Sequence, residues 1–180
     1  YYLMVPLMLY LLSKLRFLIQ FTRFSIKSNV LKIKALPPDV VELEIERPAH
    51  FHYKPGSYAK INIPIVNTLE WHPFSFTSSP EENCLRMHIR GVGDWTKRVF
   101  KLGVDTKKKG MIKDIPVLID GPYGTPTQNY LREEVAVFVA NGIGITPYIS
   151  VLLDIWYKMK DSINNNTFKL QKIFVIWITR

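Results

Sequence analysis

The chain has 180 residues, 47% of them hydrophobic, and a formal net charge of +9 at pH 7. The hydrophobic content excludes a disordered chain, and the single cysteine, Cys84, excludes an internal disulfide framework and a cysteine-based metal cluster. The positive charge suits an anionic membrane face, a phosphorylated cofactor or nucleic acid. Because no stripe interleaves arginines with aromatics, nucleic acid is not an expected partner. The four histidines lack metal-ligand spacing, so no metal site is expected.

Residues 1–24 combine an apolar run with a basic flank. The run YYLMVPLMLYLL is followed by Lys14, Arg16 and Arg23. Twelve helical residues reach about 18 Å, which is less than the roughly 30 Å of hydrocarbon in a bilayer. Basic and aromatic residues after an apolar run are typical of the cytoplasmic end of a membrane helix. We therefore interpret residues 1–24 as the end of a transmembrane helix that runs into an interfacial helix, with more membrane protein upstream. The alternative is an amphipathic helix packed on a soluble core.

Residues 25–121 carry short segments in which apolar and polar residues alternate, as in half-buried strands. The predicted strands are 40–46, 57–65, 84–90 and 115–121. Short strands at intervals of about ten to twenty residues predict a small antiparallel β-barrel. One helix, GDWTKRVFKL at 93–102, interrupts the barrel, and the charged segment 105–114 is predicted to be a solvated loop.

Residues 122–180 have a different pattern. A continuous apolar strand, a glycine turn and an apolar-faced helix occupy 133–160, and 172–180 is a second strand of the buried type. This order predicts a right-handed parallel βαβ unit. Because a parallel sheet is normally larger, we expect the first, incomplete part of a Rossmann-like α/β nucleotide-binding domain. The predicted fold class is therefore β + α/β: a small antiparallel β-barrel, then a truncated parallel α/β domain, preceded by the end of a membrane helix.

The turn ANGIGITP at 140–147 places glycines between the strand and the helix. Glycine lets the backbone approach a pyrophosphate closely, and the helix N-terminus offers unpaired N–H groups. The predicted dinucleotide contacts are Gly142, Gly144, Thr146 and Pro147. Arg180 ends the following strand, where an arginine accommodates a 2′-phosphate, which favours NADPH over NADH. A tight turn without ligand and a solvent-facing arginine are the alternatives.

The segment HPFSFTSSP, which begins at His72, combines what a flavin needs from a barrel edge. Phe74 can stack on the ring system, Ser75 can hydrogen-bond near the ring nitrogens, and His72 can approach phosphate. Arg90 adds charge, and GDWT opens a helix whose N–H groups form an anion site. The predicted FAD contacts are His72, Pro73, Phe74, Ser75, Thr77, Ser78, Arg90, Gly93, Trp95 and Thr96. For any one of these residues, the alternative is core packing or helix capping.

Together, HPFS, GDWT, DGPYG and GIGITP resemble the ferredoxin–NADP reductase superfamily, and within it the membrane NADPH oxidase and ferric reductase group. His72 and Phe74 stand where the superfamily has the arginine and tyrosine of an Arg-x-Tyr-Ser flavin motif. Gly121 and Pro122, in DGPYG, match its nucleotide-domain entrance, although an interdomain turn explains them equally well when taken alone. Asn141 departs from the small residue that the oxidases usually have before the first glycine.

This resemblance implies that NADPH gives a hydride to FAD held against Phe74 and Ser75. The flavin then passes single electrons to hemes in an upstream membrane part and on to molecular oxygen, which yields superoxide. No catalytic acid–base pair is expected, because hydride transfer needs none. The resemblance also implies a membrane protein with room for regulatory protein subunits, and the basic flank at Lys14, Arg16 and Arg23 predicts that this region faces the cytoplasm. A ferric-chelate reductase with the same NADPH–FAD–heme route, a non-catalytic module without flavin, and a membrane-surface binding protein are the alternatives.

Overall fold

The computed structural model describes residues 3–23, 25–109, 115–161 and 169–179. Three α-helices, α1 to α3, comprise Met4–Arg23, Asp94–Lys109 and Thr146–Asp161. Eight strands, β1 to β8, comprise Ile26–Leu36, Val40–Glu46, Tyr58–Asn62, His72–Ser75, Cys84–Arg90, Ile115–Tyr123, Val135–Asn141 and Lys172–Ile178. Two short 3-10 helices, Pro126–Arg132 and Gly142–Ile145, complete the described elements. The predicted contact Arg180 lies outside the described residues.

The first six strands form one antiparallel sheet in the order β4-β3-β6-β1-β2-β5. Its two edge strands meet where Phe76, just after β4, forms a bridge with Met87 in β5. Beside that bridge, the N–H of Thr77 donates to the carbonyl of Arg86 over 2.7 Å. The sheet therefore closes on itself, which confirms the predicted small antiparallel barrel.

Strand β2 shows why alternation sends one face inward. Val41, Leu43 and Ile45 are fully buried, because successive side chains of a strand point to opposite faces. Between them, Glu44 points outward to Lys32 at 3.6 Å and to Arg86 at 3.3 Å. These cross-strand ion pairs join β2 to both of its neighbours.

Helix α2 differs from the prediction, because it extends beyond 102 to Lys109. The predicted solvated loop at 105–114 is therefore wrong for residues 105–109, while 110–114 lie outside the described residues. Gly103 allows the longer helix to reach the barrel: an added Cβ would lie 3.1 Å from Cγ2 of Val41.

Other strands also differ from the predictions. Strands β1, Ile26–Leu36, and β4, His72–Ser75, have no counterpart among the predicted strands. Strand β3 ends at Asn62 rather than at 65, and β6 continues from 121 to Tyr123.

The second unit contains β7 and β8, which pair in parallel in the register Val135↔Lys172 to Asn141↔Ile178. One face of β7 carries Ala136, Phe138 and Ala140, all buried, whereas Val137 on the other face is 56% exposed. The hydroxyl of Ser150 in α3 donates to the carbonyl of Ser78 over 2.7 Å, which ties this unit to the barrel. The predicted barrel followed by a parallel α/β unit is therefore confirmed.

The apolar side chains in the first part of helix α1, up to Leu15, are open to solvent. Between Leu3 and Leu15 their exposed fractions run from 44% to 82%. No helix among the described residues is both long enough and apolar enough to cross a membrane.

Candidate functional site

The predicted flavin segment forms strand β4, and its alternation places His72 and Phe74 on one face. Both rings lie against Trp95 of α2, with centroid distances of 4.4 Å for His72 and 5.8 Å for Phe74. The Phe74 and Trp95 rings are stacked at 19°. Trp95 is 3% exposed, and its buried Nε1 has no hydrogen-bond partner among the described residues. These three rings form the aromatic layer.

Beside the aromatic layer lies a cavity of about 370 Å³, which we call the outer cavity. Its lining includes Glu70, His72, Arg90, Gly93, Trp95, Thr96 and Arg98. Nε2 of His72 lies 3.1 Å from a carboxylate oxygen of Glu70, and Arg98 lies 3.6 Å from the other oxygen. Asn67 also donates to Glu70. A single carboxylate therefore balances two of the basic groups of this cavity.

The N-terminus of α2 is capped by its own side chain. The hydroxyl of Thr96 accepts from the N–H of Gly93 over 2.9 Å and donates to the Gly93 carbonyl over 3.0 Å. This reciprocal pair satisfies an N–H group that the helix itself leaves unpaired. The capping role therefore accounts for the Thr96 hydroxyl, and the predicted FAD contact of Gly93 and Thr96 stays a prediction.

A second cavity, of about 590 Å³, lies where the barrel meets the α/β unit, and we call it the junction cavity. Its lining includes Asp39, His88, Arg90, Asn141, Gly142, Ile143, Thr146 and Trp177. Arg90 lines both cavities and pairs with Asp39 at 3.1 Å. A Cβ on Gly142 would lie 3.8 Å from the Arg90 guanidinium. The structure thus brings the predicted flavin-side Arg90 beside the predicted dinucleotide-side Gly142 and Thr146.

The glycine turn has the geometry that a close backbone approach requires. Gly142 has φ +52°, in the left-handed region that favours glycine, and an added Cβ on Gly144 would meet no atom within 4 Å. Helix α3 begins at Thr146, with Pro147 in its first turn, where the missing N–H is not needed. Gly144 and Pro147 are outside the lining of the junction cavity.

Several predicted contacts lie away from both cavities. Pro73 and Ser75 are on the opposite face of β4, where Ser75 pairs with Tyr58 of β3. Gly121 has φ +149°, and its Cβ would lie 3.0 Å from that of Ala59, so glycine is needed here for close packing of β6 on β3. Pro122 follows Gly121 in β6 and is exposed.

Thr77 and Ser78 are buried at the joint between the two units. Thr77 Oγ1 lies 2.9 Å from Nδ1 of His88. The Ser78 hydroxyl accepts from the N–H of Arg86 over 3.0 Å and lies 2.8 Å from the Tyr53 hydroxyl. Burial raises the pKa of Tyr53 to about 12, so that hydroxyl stays protonated. The hydroxyl of Ser78 is thus engaged within the protein.

The residues of this region that sequence reasoning missed include Asp39, Glu70, His88, Arg98 and Trp177. Glu70 precedes HPFS by two residues, and its charge was the available signal. His88 lies between Arg86 and Arg90 on the polar face of β5, so alternation alone could have placed it beside Arg90. Burial lowers the pKa of His88, against the opposing effect of Glu42 and with a smaller lowering by Arg86.

Comparison with known proteins agrees with this geometry. A family model described as FAD-binding domain matches residues 25–127, and one described as Ferric reductase NAD binding domain matches 133–180. Over 99% of its length the chain is 38% identical to respiratory burst oxidase homolog protein A of Arabidopsis thaliana and 36% identical to NADPH oxidase 1 of Mus musculus. It spans 24% and 29% of those two proteins, respectively.

The fold is also found in a ferredoxin NADP+ reductase from Neisseria gonorrhoeae, whose crystal structure contains bound FAD and NADP. The TM-score is 0.63 at 16% identity, over 85% of this chain and 56% of that chain. The chain therefore belongs to the FAD-binding domain family whose model matches residues 25–127, followed by sequence that matches a ferric reductase NAD-binding domain, and over nearly its whole length it is similar to NADPH oxidases.

Proposed function

We propose that this chain binds FAD and NADPH in an oxidoreductase that passes electrons from NADPH through FAD to membrane hemes and on to molecular oxygen, yielding superoxide. The observation that carries the proposal is the junction cavity, where Arg90 of the barrel meets the glycine turn of the α/β unit. A hydride can pass between two cofactors only if their sites adjoin. The chain spans about a quarter of its oxidase relatives, so the activity of the whole protein is part of this proposal.

The residues of the outer cavity fit the FAD diphosphate. His72, Arg90 and Arg98 supply basic groups, and the N-terminus of α2 lies among them. Helix N-termini attract anions through unpaired N–H groups and the helix dipole. Trp95 also lines this cavity, and its buried Nε1 has no hydrogen-bond partner among the described residues, which is costly for a buried donor. The donor set therefore suits an anionic ligand that is rich in acceptors.

Existing ion pairs do not prevent this binding. Glu70 pairs with Arg98 and lies beside His72, Asp39 pairs with Arg90, and the three basic side chains are between 34% and 51% exposed. Exposed pairs contribute about 0–1 kcal/mol each, whereas charge-assisted bonds to phosphate are stronger. A diphosphate can thus replace these carboxylates as the partner of the same side chains.

FAD, when bound, supplies the chemistry of accepting a hydride from NADPH and releasing single electrons. The residues of this chain position and shield the reactants. Arg90 can pair with phosphate from either side of the junction, and the turn at Gly142 allows a dinucleotide backbone to approach closely. We assign Phe74 to the flavin itself; the contact of Ser75, which lies on the opposite face of β4, stays a prediction, as do the remaining predicted contacts, Arg180 included.

Residues 1–24, 25–121 and 122–180 remain our proposed division into a membrane-helix end, an FAD domain and an NADPH domain. Helix α1 supports a membrane location through its exposed apolar side chains, and Lys14 and Arg16 support a cytoplasmic side for this region. Molecular oxygen is the proposed acceptor. Regulatory protein subunits are compatible with this arrangement.

A ferric-chelate reductase is the second candidate, because the NAD-binding family matched at 133–180 is described as that of ferric reductases. The deciding experiment uses the full-length protein in membranes supplied with NADPH and FAD. Superoxide and ferric-chelate reduction are followed in parallel, with and without superoxide dismutase. A dominant dismutase-sensitive signal supports the oxidase, and dismutase-resistant iron reduction supports the reductase. Activity in neither assay would refute both.

A further inference from the structure

The side chain of Trp177 lies beside the glycine turn because of the parallel pairing of β7 and β8. Parallel strands end at the same edge of a sheet, and Trp177 pairs with Ala140, two residues before Gly142. Since paired residues share a face, Trp177 is on the face that carries buried Ala136, Phe138 and Ala140, on which α3 packs. The turn from β7 into α3 therefore passes within reach of this indole.

A hydrogen bond joins the Trp177 side chain to the glycine turn. Nε1 of Trp177 donates to the carbonyl of Gly142 over 2.9 Å. The Trp177 residue is 55% exposed, so it fills no core position, and its described polar contact is this one bond. Trp177, Gly142 and Ile143 all line the junction cavity.

The hydrogen bond to the Gly142 carbonyl also fixes the direction of the Ile143 N–H, because both groups belong to the same peptide. In a planar trans peptide, the carbonyl of Gly142 and the N–H of Ile143 point in opposite directions. Holding the carbonyl toward Trp177 therefore aims the Ile143 N–H away from the indole. The 3-10 helix starts at Gly142, and the first N–H groups of such a helix have no partner within it. Glycine by itself would let this peptide rotate, because it tolerates both signs of φ.

We propose that Trp177 is a positioning residue for the dinucleotide: its indole N–H fixes the Gly142 peptide so that backbone N–H groups of the turn meet the NADPH diphosphate. This role rests on the proposed function of the turn as the NADPH phosphate site. It assigns to Trp177 no contact with the reacting atoms.

The test uses Trp177→Phe in the full-length protein, which removes the donor and keeps an aromatic ring. Loss of one neutral hydrogen bond predicts NADP+ binding about three- to tenfold weaker by calorimetry. The KM for NADPH is expected to rise by the same factor, while kcat and the Kd for FAD stay unchanged. Trp156→Phe is the matched control, because Trp156 is 66% exposed on α3 and no described hydrogen bond involves its indole.

Trp177→His gives a rescue variant, since its Nε2 occupies the same place in a five-membered ring as the indole nitrogen. Partial recovery of NADP+ affinity supports the positioning role. Wild-type NADP+ affinity in Trp177→Phe would overturn it, as would a joint loss of FAD and NADP+ binding, which indicates a structural role. Absence of NADP+ binding in the wild-type protein would instead overturn the proposed function itself.

Discussion

At Gly142 an added side chain would strain the backbone without crowding its neighbours, so the effect of backbone strain on stability can be measured alone. Gly142 has φ +52°, and its added Cβ would make only an ordinary contact, 3.8 Å from the Arg90 guanidinium. The left-handed conformation costs a non-glycine residue about 1–2 kcal/mol. Alanine also reduces the entropy of the unfolded chain, which offsets about 0.4–1 kcal/mol. Gly142→Ala is therefore expected to lower the free energy of unfolding by about 1 kcal/mol through strain alone.

Gly144→Ala is the matched control, two residues along the same turn. Its Cβ would meet no atom within 4 Å, and its φ lies outside the left-handed range. The change is expected to be neutral or to stabilise by about 0.4–1 kcal/mol. Urea unfolding followed by tryptophan fluorescence measures both variants, with equal m-values required for comparison. If the two alanine variants have the same unfolding free energy within about 0.3 kcal/mol, the reasoning from φ is refuted.

Three other predictions address the flavin site, the barrel and the pH response. The double change Phe74→Ala and Ser75→Ala is expected to weaken FAD binding strongly in a fluorescence titration, whereas Cys84→Ser is not. Unchanged FAD affinity in the double variant would contradict the proposed flavin contacts. Gly121→Ala places a Cβ 3.0 Å from that of its neighbour on β3 and is expected to cost about 1–3 kcal/mol of stability, so an unshifted urea midpoint would contradict the packing role. Burial lowers the pKa of His88 below its value in the unfolded chain, about 6.5, so near and below that pH the unfolded chain binds more protons and stability falls as the solution is acidified. His88→Gln is expected to flatten this part of the curve of stability against pH, and an unchanged slope would contradict the role of His88.

Local patterns predicted the strands whose alternation is regular. Strands β2 and β5 have the predicted bounds, because apolar and polar residues alternate regularly from Val41 to Glu46 and from Leu85 to Arg90. Strand β1 was missed because its pairing with β2 shifts register between Val30 and Lys32, so its pattern of buried residues is broken. An irregularity of this kind has no signature of its own in a single sequence.

The candidate site was predictable in its chemistry but not in its assembly. A histidine, an aromatic residue and a helix start in the order of HPFS and GDWT indicated a phosphate-bearing flavin ligand. Which of these residues share a cavity depends on partners that are distant in the chain. Asp39 meets Arg90 because β2 pairs with β5, and Glu70, just before β4, meets Arg98 of α2; neither pair is near in sequence.

The sequence by itself determined the strands whose alternation is regular, where the chain changes from alternating to continuous apolar strands, and where glycine is available for a sharp turn. These features depend on neighbours within a few residues. The tertiary structure decided the strand order β4-β3-β6-β1-β2-β5, the position of Arg90 on both cavities, and the hydrogen bond from Trp177 to Gly142. Each of these depends on contacts between residues 35 or more positions apart or on closure of the whole sheet. Local sequence patterns cannot predict either, because they reflect only neighbours within a few residues.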